Sequence, residues 1–312
     1  MSSILDCSGY YTVKTDIVRA QDCYLYDSKD KRYLDLESGV WCTALGHNNK
    51  RINKTFIKQL QLVSHLGYRY TNPIVDNAAK SILETIKMSE GKCVFLSSGS
   101  EVVEFAVQSA KRIIEQNMLI TLSDSYLSAY GSASEKSSDE WYCFDWSRCN
   151  KCTNLEKCNL NCEYLNEIPI ERIGALIFEP GNASGLVKLP PKQLITTLES
   201  MVKEQGGLII IDEVTTGIGR TGKWYGFEHY NIKPDIVAIG KGLGNGYPVS
   251  AVVMSQKVAQ ELETHHFHYA QSHQNDPLGC AIASEVIATI EDNRLVDRSY
   301  YLGIKLLKDL KN

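Results

Sequence analysis

From residue 93 onward, short apolar runs alternate with longer stretches in which apolar residues recur at three- and four-residue intervals. The runs are 93–96, Met118–Leu122, Ile173–Phe178, 208–211 and Ile236–Ile239. They lack the strict alternation of a half-exposed sheet, so each is read as a strand buried on both faces. Between them, 101–115 carries Phe105, Ala106, Ala110, Ile113 and Ile114 along one helical stripe. Further helices are predicted over 191–205, 278–291 and 294–310. Strand and helix in alternation predict an α/β fold, a mostly parallel sheet sandwiched by helices. Tyr24-Leu25-Tyr26 and Tyr33-Leu34-Asp35-Leu36 predict a small antiparallel lobe within residues 1–45. Residues 46–291 then make the large domain, and 292–312 begin a C-terminal lobe. The stretch 132–167, rich in Ser, Asp, Asn, Lys and Cys and poor in aliphatics, is read as an excursion from the sheet.

Composition narrows function by exclusion. With 43% hydrophobic and 22% charged residues, the 312-residue chain has the make-up of a soluble protein able to bury a sizeable core. A net charge of -4 offers no basic field to nucleic acid, and Lys50-Arg51 or Lys111-Arg112 are read as solvated helix faces. No apolar stretch approaches the roughly 20 residues that cross a bilayer. Residues 1–14 lack the basic start and apolar run of a secretory signal. Neither a nucleic-acid nor a membrane partner is expected. A chain of this size needs no disulfide staples, and four of its ten cysteines crowd between Cys149 and Cys162, so a reduced cytoplasmic setting is expected.

Three constellations carry chemistry. Ser98-Gly99-Ser100-Glu101 sits where a strand hands over to a helix, whose first N–H groups and positive end can hold an anion. Taken alone, those serines read more plainly as an ordinary helix cap. Asp212 closes the apolar run 208–211, at the strand end where open α/β sheets place ligands, and helix capping is the competing role. Lys241 follows the run Ile236–Ile239 and has glycine on both sides, where desolvation would free its amine to attack a carbonyl. A surface lysine in a turn is the plain alternative. Together the three supply what pyridoxal 5′-phosphate (PLP) requires: an anion cradle, a carboxylate for the ring nitrogen and a lysine for the aldehyde.

Ser98-Gly99-Ser100-Glu101, Glu179-Pro180, Ile211-Asp212-Glu213-Val214 with Gly219-Arg220-Thr221-Gly222, and Lys241-Gly242-Leu243-Gly244 resemble, in order, the motifs of the class III aminotransferase family, over roughly residues 33–310. The resemblance implies the PLP-dependent transferase fold of type I. It also implies transfer of an amino group from an amine or amino acid to a 2-oxo acid or aldehyde, through a Lys241 Schiff base. By position, Asp212 would pair with the ring nitrogen, Val214 would pack on one ring face, and Gly99 and Ser100 would bind the phosphate. Tyr126 stands where the family stacks an aromatic on the other face, although the usual His-Gly after it is Leu127-Ser128. Ser272 fills the slot of a hydroxyl that reaches the neighbouring subunit's phosphate, which implies a homodimer with a shared active site and makes His273 a structural neighbour. An aminomutase or a decarboxylase belongs to the same family and is the alternative reaction.

Other departures bear on substrate. Thr215 replaces a common Gln, and Ser184 stands where members acting on ornithine or 4-aminobutyrate carry an acid that gates an arginine. Trp41 and Tyr68 or Arg69 are candidates to shape the pocket. The family continues into a second lobe where this sequence stops at Asn312, so the chain is expected to be part of a longer one. An inactive PLP- or metal-binding module is the alternative if it is not. Outside the family pattern lies Cys149-x2-Cys152-x5-Cys158-x3-Cys162, four thiols able to close a tetrahedral zinc site or hold an iron–sulfur cluster. Adventitious cysteines or redox pairing would explain them as well.

Overall fold

The structure is a computed structural model that describes residues 3–5, 7–14, 16–136, 139–152, 158, 162–182 and 187–311. Near the N-terminus, β1 (Ile17–Gln21), β2 (Tyr24–Asp27) and β3 (Arg32–Leu34) form an antiparallel three-stranded sheet. Asp35 ends this meander by accepting the Glu37 and Ser38 N–H groups, each at 3.0 Å, while His47 Nε2 lies 2.7 Å from its other oxygen. The turn that follows, α1 (Ser38–Trp41), has positive φ at all four residues, including the β-branched Val40 at 55°. Left-handed backbone is costly for such residues and persists where neighbours fix it. Here it brings Trp41 back toward the main sheet.

The chain then runs through α2 (Lys50–Leu60) and α3 (Pro73–Ile86), each capped by an asparagine side chain, at Asn49 and Asn72. The main sheet comprises β4 (Lys92–Leu96), β5 (Met118–Leu122), β6 (Trp141–Phe144), β7 (Ile173–Phe178), β8 (Leu208–Asp212), β9 (Ile236–Ile239) and β10 (Ser250–Met254), in the order β4-β10-β9-β8-β7-β5-β6. Only β10 runs antiparallel to its neighbours. The mostly parallel α/β sheet is therefore as the apolar runs predicted. The remaining helices are α4 (Gly99–Ile113), α5 (Glu163–Asn166), α6 (Lys192–Glu204), α7 (Gln256–Thr264), α8 (Pro277–Asp292) and α9 (Leu295–Lys311).

Successive strand residues point to opposite faces, which divides the buried apolar residues into two layers. Ile120, Ile209, Ile211, Val237 and Ile239 share one layer with Ile82, Leu194 and Ile282 from α3, α6 and α8. Leu119, Ile177, Ile210, Ile236 and Val252 share the other with Val103 and Phe105 of α4 and Val258 of α7. The stretch 132–167 is less of an excursion than its composition suggests, because β6 lies within it and pairs parallel with β5 as the sheet's edge strand. Trp141 and Phe144 are the reason: both are buried, and only their immediate surroundings are polar.

Candidate active site

Every parallel strand ends at one edge of the sheet, so the residues after β4, β5, β7, β8 and β9 gather there. After β4, Ser98 caps α4 by accepting the Glu101 N–H, while the Glu101 carboxylate accepts the Ser97 and Ser98 N–H groups at 2.7 Å each. This reciprocal cap holds the first turn of α4 open toward the edge. Thus Ser98 does act as the cap, as the plainer reading had it, while Ser100 does not. The Ser100 hydroxyl instead accepts the Ala129 N–H at 3.0 Å and ties α4 to the segment carrying Tyr126. Gly99 lies so close to Val214 that an added Cβ would meet Val214 Cγ1 at 2.7 Å. No larger residue fits that position without a shift.

Asp212, at the end of β8, is 3% exposed and accepts the Val214 N–H at 2.9 Å. Burial pushes its pKa up to about 7, opposed by that hydrogen bond and by the charge of Lys241. Lys241 follows β9 with φ of 42° and opens a short 3₁₀ turn, Lys241–Gly244. Desolvation lowers its pKa, with Asp212 the first of the charges that oppose the shift. The two groups thus lie close enough to feel each other. Lys241 Nζ donates to Thr215 Oγ1 at 2.9 Å and stands 5.5 Å from the centre of the Trp41 ring.

Sequence reasoning gave no role to three residues of this edge. Arg220 donates through Nε to the Thr215 carbonyl at 2.8 Å and through Nη2 to the Trp41 carbonyl, so it clamps both neighbours of the Lys241 amine. Glu179, buried after β7, accepts the Tyr126 N–H at 3.0 Å, and its charge raises the Lys241 pKa. Cys42 is half-buried beside Lys241 and Arg220. Of the three, Glu179 had a readable signal, since it is an acid at a strand end like Asp212. Neighbouring Glu213 is fully buried and accepts from the Gly226 and Phe227 N–H groups and the Thr216 hydroxyl. Burial pushes it up to about 7.

Other predicted positions fall elsewhere. Tyr126 is at the edge, with its side chain half-exposed. No hydrogen bond or ring contact among the described residues joins Tyr68 or Arg69 to Lys241, and Tyr68 is exposed. Ser184 lies outside the described residues. Ser272 is exposed on the turn before α8. Next to it, His273 Nδ1 and His65 Nδ1 each lie 2.5 Å from one oxygen of Asp276. These three are the one set of metal-capable side chains, among the described residues, whose ligand atoms all lie within 4.8 Å. Cys149, Cys152, Cys158 and Cys162 are free thiols, and three of them, all but the exposed Cys152, pack against the core layer that includes Leu194 of α6. Burial and the three neighbouring thiols push Cys149 up to about 11.

Fold and edge together define an α/β enzyme centred on a desolvated amine, a buried carboxylate and the N-terminus of a helix. The family model for class III aminotransferases matches residues 8–312, and the chain belongs to that family. It is 28% identical over 298 residues to an acetylornithine aminotransferase of Aquifex aeolicus, covering 91% of this chain and 76% of that one. An Archaeoglobus fulgidus protein of the same description is 29% identical, with 97% and 79% covered. Among solved structures, an S-selective transaminase from Arthrobacter sp. superposes with a TM-score of 0.85 at 26% identity, with 97% of this chain and 72% of that one covered. The protein is accordingly a PLP-dependent aminotransferase. The donor set fits that cofactor, because a buried carboxylate at the end of β8 calls for a cation and the cofactor's ring nitrogen can carry one.

Proposed function

We propose that Lys241, Asp212, Val214, Tyr126, Gly99 and Ser100 hold PLP at this edge and that Lys241 is the residue joined to its aldehyde. The reading is carried by one observation: the Lys241 amine, the Asp212 carboxylate and the open first turn of α4 meet at one edge of one sheet. Gly99 and Ser100, at the positive end of α4, bind the phosphate. Val214, packed against Gly99, and Tyr126, anchored by Glu179, flank the ring. Asp212, with a ring cation beside it, stays ionised. Bound there, the cofactor supplies an electron sink for the substrate carbon that loses a proton. Lys241, its amine made less basic by burial, takes and returns that proton at Nζ, and Thr215 orients Nζ by accepting from it.

The substrates are an amine or amino acid as donor and a 2-oxo acid or aldehyde as acceptor. Ser272, exposed ahead of α8, reaches the phosphate of a second copy, making the working unit a homodimer with shared sites. Cys149, Cys152, Cys158 and Cys162 hold a thiophilic metal, zinc or an iron–sulfur cluster, and a chain large enough to need no disulfide staples works in a reducing cytoplasm.

Borohydride reduction of the PLP-loaded protein followed by peptide mass analysis should place one pyridoxyl group on Lys241. A label on another lysine, or none, would overturn the assignment. Screening the same protein with amines for loss of the bound cofactor's visible band names the donor class. A one-to-one requirement for an oxo acid separates transfer from mutase or decarboxylase chemistry.

A further inference from the structure

Arg220 carries a charge that burial disfavours, and no carboxylate among the described residues pairs with it. Its partners are instead two backbone carbonyls from distant parts of the chain. Nε donates to Thr215, just after β8, at 2.8 Å, and Nη2 donates to Trp41, in α1, at 2.5 Å. Nε and Nη2 share one edge of the planar guanidinium, so the two bonds fix the two carbonyls relative to each other. A lysine ammonium, a compact point charge, has no such edge. A guanidinium held between two neutral acceptors in a desolvated place is costly unless geometry is what it supplies. The backbone of Arg220 is itself anchored. Its loop turns through Ile218, Gly219 and Gly222 at φ of 59°, 81° and 79°. The Gly219 N–H donates to the Trp224 carbonyl at 3.0 Å, and the Ser299 hydroxyl of α9 donates to the Arg220 carbonyl at 2.9 Å. α9 lies so close that a Cβ on Gly222 would meet Tyr300 Cα at 2.8 Å.

The two residues so held are the ones that meet the Lys241 amine. Thr215 Oγ1 accepts from Nζ at 2.9 Å, and the centre of the Trp41 ring lies 5.5 Å from Nζ. Trp41 ends the left-handed turn α1, a backbone that persists only where neighbours fix it. We propose that Arg220 is a positioning residue for the reaction at Lys241, holding the Thr215 hydroxyl and the Trp41 ring about Nζ as one assembly. The proposal rests on Lys241 being the reacting amine. Among the described residues no hydrogen bond joins Arg220 to Lys241, so Arg220 acts through Thr215, which orients Nζ, and through Trp41, whose ring limits water there. Desolvation is the largest influence on Lys241 and lowers its pKa. Asp212, Cys42 and Glu179 oppose that shift, and the like charge of Arg220 adds to it. With the fork gone, α1 loses its tie to the loop after β8 and water gains access to Nζ.

Lys241 can be titrated in the cofactor-free protein by its rate of reductive methylation with formaldehyde and cyanoborohydride across pH, read on its peptide by mass. Two variants divide the charge of Arg220 from its shape. Arg220→Lys keeps the charge without the fork. Arg220→Met keeps the length without either, and suits a desolvated site should a lone ammonium there prevent folding. In both, the midpoint of the Lys241 profile should move up, toward the ordinary lysine value of about 10.4. The N–H groups of Trp41, Cys42 and Thr43 bond the Glu37, Gly39 and Ser38 carbonyls. Their hydrogen exchange should quicken about fivefold, the effect of one lost hydrogen bond. A loss of overall stability alone would leave the midpoint where it is. A midpoint that moves in Arg220→Met but not in folded Arg220→Lys would show the charge acting without the fork and would overturn the proposal. Wild-type midpoints in the folded variants, or wild-type exchange at residues 41–43, would overturn it too. Neither measurement uses the cofactor, so a borohydride label away from Lys241 in the PLP-loaded protein would count separately, against the reading of Lys241 as the reacting amine.

Discussion

Asp212 and Lys241 were legible in the sequence because each interrupts an apolar environment at the end of a strand, where a charge is expensive unless it has work to do. The cost can be measured at Asp212. Without cofactor its pKa stands near 7, whereas in an unfolded chain it is about 4. Between those values the folded protein keeps a proton that the unfolded chain has released. The stability carried by the neutral acid is therefore complete below about pH 4 and is lost as pH rises through about 7. Asp212→Asn removes this ionisation. In urea unfolding of cofactor-free protein, the variant should gain on wild type steadily from pH 4 to pH 7. A pH-independent difference would show that the carboxylate is already ionised throughout. Arg220 stood in the motif Gly219-Arg220-Thr221-Gly222 without a role, and Cys42 was not legible at all, because what brings Cys42 beside Lys241, and the Trp41 carbonyl to Arg220, is the return of α1 to the main sheet, a tertiary event with no local signature.

Elements were legible in proportion to how far their own residues decide them. The bounds of β5, β7 and β9 match the apolar runs, and α4 begins two residues earlier than its stripe suggests because the cap lies ahead of the first buried residue. Three strands escaped, among them β1 of the N-terminal sheet. β10 follows β9 with only the 3₁₀ turn Lys241–Gly244 and no α-helix between, since it runs antiparallel and needs no crossover, so the alternation of strand and helix concealed it. β6 is four residues at the sheet edge inside a polar stretch, and its pairing with β5 outweighs its surroundings. α4 is the element on which the cofactor reading leans most. Ser98→Ala removes the acceptor for the Glu101 N–H and should destabilise the protein by about 1 kcal/mol in urea unfolding. It should also weaken binding of inorganic phosphate or PLP, since the frayed turn carries Gly99 and Ser100. A cost near zero would mean that water replaces the cap without loss.

At the scale of the molecule, α8 joins most of what lies on its side of the sheet. Arg51 of α2 reaches Glu285 and Asp292 on α8, α3 packs along it, and its first turn is held by Asp276 bonded to both His65 and His273. The turn bearing Ser272 is thereby fixed to a rigid helix, although Ser272 itself faces outward. A fixed, exposed hydroxyl suits a contact with a second copy better than a role in its own site. In a two-fold dimer each site would combine Lys241 of one subunit with Ser272 of the other. Ser272→Ala should then weaken PLP but leave the unphosphorylated pyridoxal unaffected. Mixing Lys241→Ala chains with Ser272→Ala chains supplies the sharper check. In a mixed dimer one site carries both substitutions and the other carries neither. Random exchange of subunits in an equal mixture should restore wild-type PLP affinity and turnover to about a quarter of all sites. Neither parent can do this alone, whereas sites built within single chains would gain nothing from mixing.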